Sequence, residues 1–227
     1  MKTRWTLLTA SFVVGRGLTF WSTFDTSPAL AGPELSVATV LPSLLPTLGE
    51  PSQYTYVGAN KCKKCHLKEH KSWSSNKKSK ALETLMPGQA AEAKQKHNLD
   101  PNKDYSTDAA CLKCHTTGFG HPSGYAVPDA ADEKAVKEAQ NLAGVGCESC
   151  HGAGSGYMVL HEEIMKSKRT YKVDEMYAAG MTKIEAAACT NCHNDQSPTY
   201  DAANPFDFEK MKATGGHEHF ELKQREK

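Results

Sequence analysis

Apolar positions along the chain fall into three regimes. The first is an apolar run, Trp5 to Val14, which follows Lys2 and Arg4, is interrupted by Arg16, resumes to Phe24 and reaches Ala29-Leu30-Ala31 ahead of Gly32. A basic start, an apolar stretch and a small-residue cleavage site predict a secretory signal peptide over residues 1–31. Arg16 breaks the stretch and argues against a stable membrane span. The second regime, residues 32–53, is rich in Pro, Leu and Ser, has neither helical nor strand period, and predicts a linker or extended arm.

The third regime, 54–227, predicts short helices divided by breakers. Lys61 to Met86 holds strong helix formers and is stopped by Pro87-Gly88; Gln89 to Asn98 predicts a second short helix. Thr117 to Pro128 reads as a Gly- and Pro-bearing loop. Asp129 to Ala143 predicts an amphipathic helix whose acidic first turn suits the helix dipole. Further helices are expected at about Met158 to Lys168 and from Asp174 to the fourth motif, after which the tail holds Phe206 to Ala213. Lys77, Lys78 and Lys80 read as a solvated helix face.

This pattern leaves very little to bury. Of the 174 residues from Tyr54 onward, 20 are Leu, Ile, Val or Phe, about 11%. A chain below roughly 20% rarely buries enough apolar surface to fold, although disorder usually also requires a high net charge. The formal charge is +1, and removing residues 1–31 leaves 24 basic and 25 acidic residues of the original 27 and 26. That balance implies no nucleic-acid partner. Something other than aliphatic side chains must supply the core.

The cysteines say what it is. All eight lie in four Cys-x-x-Cys-His motifs: Cys62, Cys65 and His66; Cys111, Cys114 and His115; Cys147, Cys150 and His151; Cys189, Cys192 and His193. Two thiols on one helical turn reach the two vinyl groups of a porphyrin, and the following histidine supplies an axial ligand. Zinc also takes CxxC pairs, but gives no reason for a histidine directly after the second cysteine every time. A disulfide framework fails on the same ground. The reading is four covalently bound haem c groups, which form the core of a mainly α, loop-rich multihaem cytochrome wrapped around closely packed haems. First cysteines are spaced 49, 36 and 42 residues apart, which is too uneven for a solenoid repeat.

Six histidines remain as candidate distal ligands: His70, His97, His121, His161, His217 and His219. Four haems need at most four, so at least two are bystanders. Bis-histidine ligation keeps iron low-spin and closed to small molecules, as suits electron transfer.

Beyond the haem motifs, four features carry a resemblance: Ser72-Trp73 after the first motif; Leu99-Asp100-Pro101-Asn102-Lys103-Asp104-Tyr105 before the second, with Gly118-Phe119-Gly120 after it; Gly144-Val145-Gly146 leading into the third, with Gly152 after it; and His217-Glu218-His219-Phe220 in the tail. On these the chain resembles the tetrahaem cytochrome c-554 family over most of Tyr54 to Leu222. The resemblance implies haems in stacked and perpendicular pairs, distal histidines at His161 and at His217 or His219, and an electron donor like hydroxylamine oxidoreductase or a quinol-linked cytochrome. In two respects the chain departs from the family. Lys78 stands where the family places a distal histidine, and the segment between the third and fourth motifs is shorter and poorer in lysine.

The expected function is therefore an exported, periplasmic or extracellular electron carrier between redox partner proteins, and not an enzyme. Two alternatives remain. One is a subunit of an extracellular cytochrome filament, self-associating through a histidine such as His70 supplied in trans. The other is an enzyme acting on hydroxylamine or NO at one open haem.

Overall fold

The first predicted helix, Lys61 to Met86, is not continuous. In the computed structural model, which describes residues 53–226, α1 (Ala59–Lys63) is followed by a break at His66, whose φ of −107° and ψ of 52° are not helical, and then by α2 (Leu67–Ser74). The Ser74 and Ser75 hydroxyls donate back to the carbonyls of Lys71 and Ser72. Such bonds offer the backbone an alternative to helix continuation. Turns then lead to one 3-10 turn, Glu83–Leu85. Of the three lysines expected on a solvated helix face, Lys77 and Lys80 are exposed, whereas Lys78 is half-buried on a turn. The signal-peptide reading, and the arm up to residue 52, lie outside the described residues.

The remaining elements follow as α3 (Ala91–Lys96), α4 (Ala109–His115), α5 (Glu133–Leu142), α6 (Cys147–His151), α7 (Ser155–Ser167), α8 (Val173–Ala178), α9 (Ala186–Thr190) and α10 (Phe208–Met211). The helix expected from Asp174 to the fourth motif is thus split into α8 and α9. Among the described residues the only β-pairings are isolated bridges, Thr116 with Ala143 and Tyr171 with Arg225.

Helix α5 starts four residues later than its sequence pattern suggests because Asp132 caps it, accepting from the backbone N–H groups of Lys134 (2.9 Å) and Ala135 (3.1 Å). Asp132→Ala is expected to cost about 1 kcal/mol of stability, read as a lower urea midpoint with unchanged slope.

Helix α1 packs against α2, α5 and α6, and α7 packs against α8. Two small apolar clusters sit beside these contacts. One gathers Leu85, Tyr105, Leu112, Tyr125, Ala139 and Leu142. Lys94 closes its edge, its ammonium donating to the carbonyls of Met86 (2.6 Å) and Leu85 (3.3 Å). The second consists of Ile164, Tyr171 and Met176.

Candidate cofactor site

Each CxxCH motif forms one helical turn. In the first and fourth, where the named helix stops short, the histidine N–H still bonds the carbonyl of the first cysteine, at 2.9 Å for His66 to Cys62 and 3.0 Å for His193 to Cys189. None of the eight cysteines is joined in a disulfide.

The third motif is clamped from several directions. Thr117, 2% exposed, donates its hydroxyl to the Gly144 carbonyl and accepts from the Gly146 N–H, both at 2.9 Å. Val145 donates its N–H to the Lys78 carbonyl and accepts from the Trp73 indole, again at 2.9 Å. Gly144 has a φ of +74°, and a side chain there would lie 2.4 Å from the Ser79 carbonyl oxygen, so the approach requires glycine. Glu148, also 2% exposed, accepts from the N–H groups of Val57 (2.9 and 3.2 Å), Gly58 (2.8 Å) and Gly154 (2.7 Å). Its carboxylate thereby ties the lead into α1 and the start of α7 to the third motif. Sequence reasoning missed both Thr117 and Glu148; the only available signal was the glycine-rich surroundings of the motif.

These ties create a cavity of about 750 Å³ between the first and third motifs, within the roughly 300–1,000 Å³ range of cofactor-sized pockets. Six histidines line it: His66, His70, His151, His161, His217 and His219. The tail delivers the last two, since Glu218 donates its N–H to the Ser72 hydroxyl at 2.9 Å and the Asn76 side-chain amide donates to the Gly216 carbonyl.

Within the cavity the His66 and His161 rings lie 5.5 Å apart at 23°, and those of His151 and His217 lie 6.3 Å apart at 33°. Two imidazoles ligating one metal at about 2.0–2.1 Å each would place their ring centres roughly 6 Å apart. Both pairs therefore suit a shared iron. His217 Nδ1–H donates to the Glu218 carbonyl at 2.7 Å, and His115 Nδ1–H to the Ala81 carbonyl at 2.7 Å. A bonded Nδ1–H leaves Nε2 free to bind metal. Burial, then the charges of His217, His66 and His219, push His151 down to about 4, which keeps its ring in the neutral form that a metal requires. His161 is lowered by burial and by His66.

The other candidates are placed differently. His70 packs edge-on against Trp73 at 5.2 Å and is lowered by burial and by Lys63. His219 lies 4.9 Å from His217. His97, at the end of α3, and His121, whose Nδ1 accepts from Ser123, do not line the cavity. His193 stacks on Phe206 at 4.5 Å and is lowered by burial and by Lys78. Among the described residues no second histidine ring contacts that of His115 or His193.

The sulfurs indicate how the motifs adjoin. Cys62 shares a hydrogen bond with Cys147, which holds its proton and raises its pKa. Cys192 is pushed up to about 12 by burial first, then by the charge and hydrogen bond of Cys114. Cys150 is raised by burial and by the charges of Cys189 and Cys147, against Lys78. The first motif thus neighbours the third, the third the fourth, and the fourth the second.

A helical, loop-rich chain with these thiol pairs and histidines defines a multihaem c-type cytochrome. Its relatives specify which. The family described as cytochrome c554 and c-prime matches residues 61–152. Cytochrome c-554 of Nitrosomonas europaea is 32% identical over 188 residues, 74% of this chain and 77% of that protein. The solved structure of reduced cytochrome c554 from the same organism superposes with a TM-score of 0.65 at 32% identity, over 77% of this chain and 90% of that one. The chain belongs to the cytochrome c-554 family and is an electron-carrying cytochrome with covalently bound haem c.

Proposed function

We propose that the chain binds four haem c groups, one per CxxCH motif, and carries single electrons between redox partner proteins outside the cytoplasm. The proposed organisation is a signal peptide over 1–31, a linker over 32–53 and a tetrahaem domain over 54–227. No helix among the described residues is long and apolar enough to cross a membrane. A hydroxylamine-oxidoreductase-like protein or a quinol-linked cytochrome suits the role of donor.

Cys62 and Cys65, Cys111 and Cys114, Cys147 and Cys150, and Cys189 and Cys192 would hold the haems through thioether links, and His66, His115, His151 and His193 would supply the proximal ligands. His161 together with His66, and His217 together with His151, would hold an iron each, with His219 beside His217. Haem c, when bound, supplies reversible one-electron exchange at its iron. The observation that carries the reading is the meeting of histidine rings in one cavity beside the first and third CxxCH turns, His66 with His161 and His151 with His217. The proximity of Cys62 to Cys147, of Cys150 to Cys189 and of Cys192 to Cys114 supports an order of attachment points first, third, fourth, second.

Two measurements test this. Intact mass under denaturing conditions should exceed that of residues 32–227 by four haem groups; three or fewer, with free thiols, would reject the count. His161→Ala should convert one haem in four from low to high spin at pH 7 in the electron paramagnetic resonance spectrum. An unchanged spectrum would reject the His66–His161 pair.

A further inference from the structure

Charge along this chain is strongly segregated. Eight of the 27 basic residues fall between positions 61 and 80, where the only carboxylate is Glu69. Lys61, Lys63, Lys64, Lys68 and Lys71 are exposed, and none takes part in an ion pair among the described residues. Glu69 does not offset them, because its carboxylate is turned toward His66 Nδ1, 4.0 Å away, and is 17% exposed. Lys61 and Lys64 rim the 750 Å³ cavity together with Lys166 and Arg225; Glu162 is the one other carboxylate there. In the middle of the lysines Leu67 is 60% exposed, and Cys65 of the first motif is exposed beside it. Residues 194–209, around and beyond the fourth motif, carry Asp195, Asp201, Asp207 and Glu209 with no Lys or Arg.

A chain of nearly balanced charge that gathers exposed ammonium groups without ion pairs into one short stretch, Lys68 lying over the Phe220 ring at 5.5 Å, stores self-repulsion there, which an opposite surface relieves. An exposed apolar side chain ringed by charge has the make-up of a protein docking patch, with its apolar centre and polar rim. A membrane-surface segment would need a broad apolar face, and this face offers Leu67 alone. We propose that the face formed by Lys61, Lys63, Lys64, Lys68 and Lys71 around Leu67 is the docking site for an acidic redox protein, which exchanges electrons at the first motif. This rests on the carrier reading. It places exchange at one end of the motif order, with the acidic segment elsewhere left for a partner of different charge.

The test is stopped-flow reduction of the ferric holoprotein by an acidic flavodoxin in its reduced form, one electron passing from flavin to ferric iron per encounter. Reduced lumiflavin, small and carrying at most one charge, serves as reference. The wild-type rate with flavodoxin should fall about tenfold or more between low and high salt, because exposed charges are screened over roughly 3–10 Å in that range. Charge reversal at Lys68 and Lys71 to Glu, outside the motif and the cavity lining, should slow the low-salt reaction several-fold and weaken its salt dependence, leaving the lumiflavin rate unchanged. The same two changed to Gln should give an intermediate effect, so the expectation does not depend on the reversed protein folding. Reversal of Lys96, Lys134 and Lys137, exposed elsewhere, should change neither rate.

Equal salt dependence in wild type and the Gln variant would overturn the docking site. So would co-sedimentation of the protein with phosphatidylglycerol vesicles at physiological salt that the Gln variant loses, which would assign the face to a membrane. Normal reduction by lumiflavin with a salt-independent flavodoxin reaction would overturn docking alone. A wild-type protein that accepts electrons from neither reagent would overturn both docking and the carrier reading.

Discussion

The chain with all eight cysteines replaced by serine is expected to show no cooperative thermal transition and to lose most of its ellipticity at 222 nm, whereas the haem-loaded protein unfolds in one. Among the described residues eleven apolar residues are buried, three of them alanines, and only Leu112 and Ile164 are both apolar and fully buried. Burying a large apolar side chain contributes about 1.5–3 kcal/mol, while ordering each residue's backbone costs about 1–2 kcal/mol. With so few apolar groups for a chain of this length, the apolar surface of the attached cofactors must stabilise the fold. Helices of four to thirteen residues do not persist alone, since those below about 12–15 residues are marginal in water. A sigmoidal melt from the serine variant, near the holoprotein midpoint, would show that the polypeptide supplies its own core.

Glu148→Ala is expected to lower stability by about 3–5 kcal/mol in the haem-loaded protein. The substitution leaves the N–H groups of Val57, Gly58 and Gly154 without their acceptor, and the bonds from Gly58 and Gly154 lie in fully buried surroundings. Glu148→Gln is expected to cost about 2–3 kcal/mol, because one carboxylate oxygen becomes an amide that faces N–H donors. Both changes should appear as lower urea midpoints, with a melting temperature about 10 °C lower for the alanine variant. They should also loosen the attachment of α1 to the third motif, seen as faster amide exchange at Val57 and Gly58. A loss below 1 kcal/mol in both variants would mean that the clamp has no energetic role.

How much of this was legible in the sequence depends on the range of the interaction. A CxxCH motif is one helical turn, so cysteine spacing and the position of the histidine are local facts, and they were readable residue by residue. The scarcity of Leu, Ile, Val and Phe is likewise a property of composition, and it pointed to a core not made of side chains. Helix positions were legible, but their ends were not. The predicted run from Lys61 to Met86 breaks at His66, where the backbone leaves the helix, and at Ser74, whose hydroxyl bonds backward. Propensity weighs such local competition poorly. Lys78 read as solvated beside Lys77 and Lys80, yet its carbonyl is taken by Val145 and its side chain is half-buried.

By itself the sequence determined four CxxCH turns, with their eight thiols and the histidine that follows each, in a mainly helical chain poor in large aliphatic residues. The tertiary structure alone decided which histidines meet and in what order the motifs adjoin. His161 reaches His66 across 95 residues, His217 reaches His151 across 66, and Cys62 meets Cys147 across 85. Several histidines were chemically equivalent candidates for each place. What separates them is long-range packing, namely the Glu148 and Thr117 clamps on the third motif and the docking of the tail on Ser72 and Asn76, and no local pattern of residues records where distant segments of a chain come to lie.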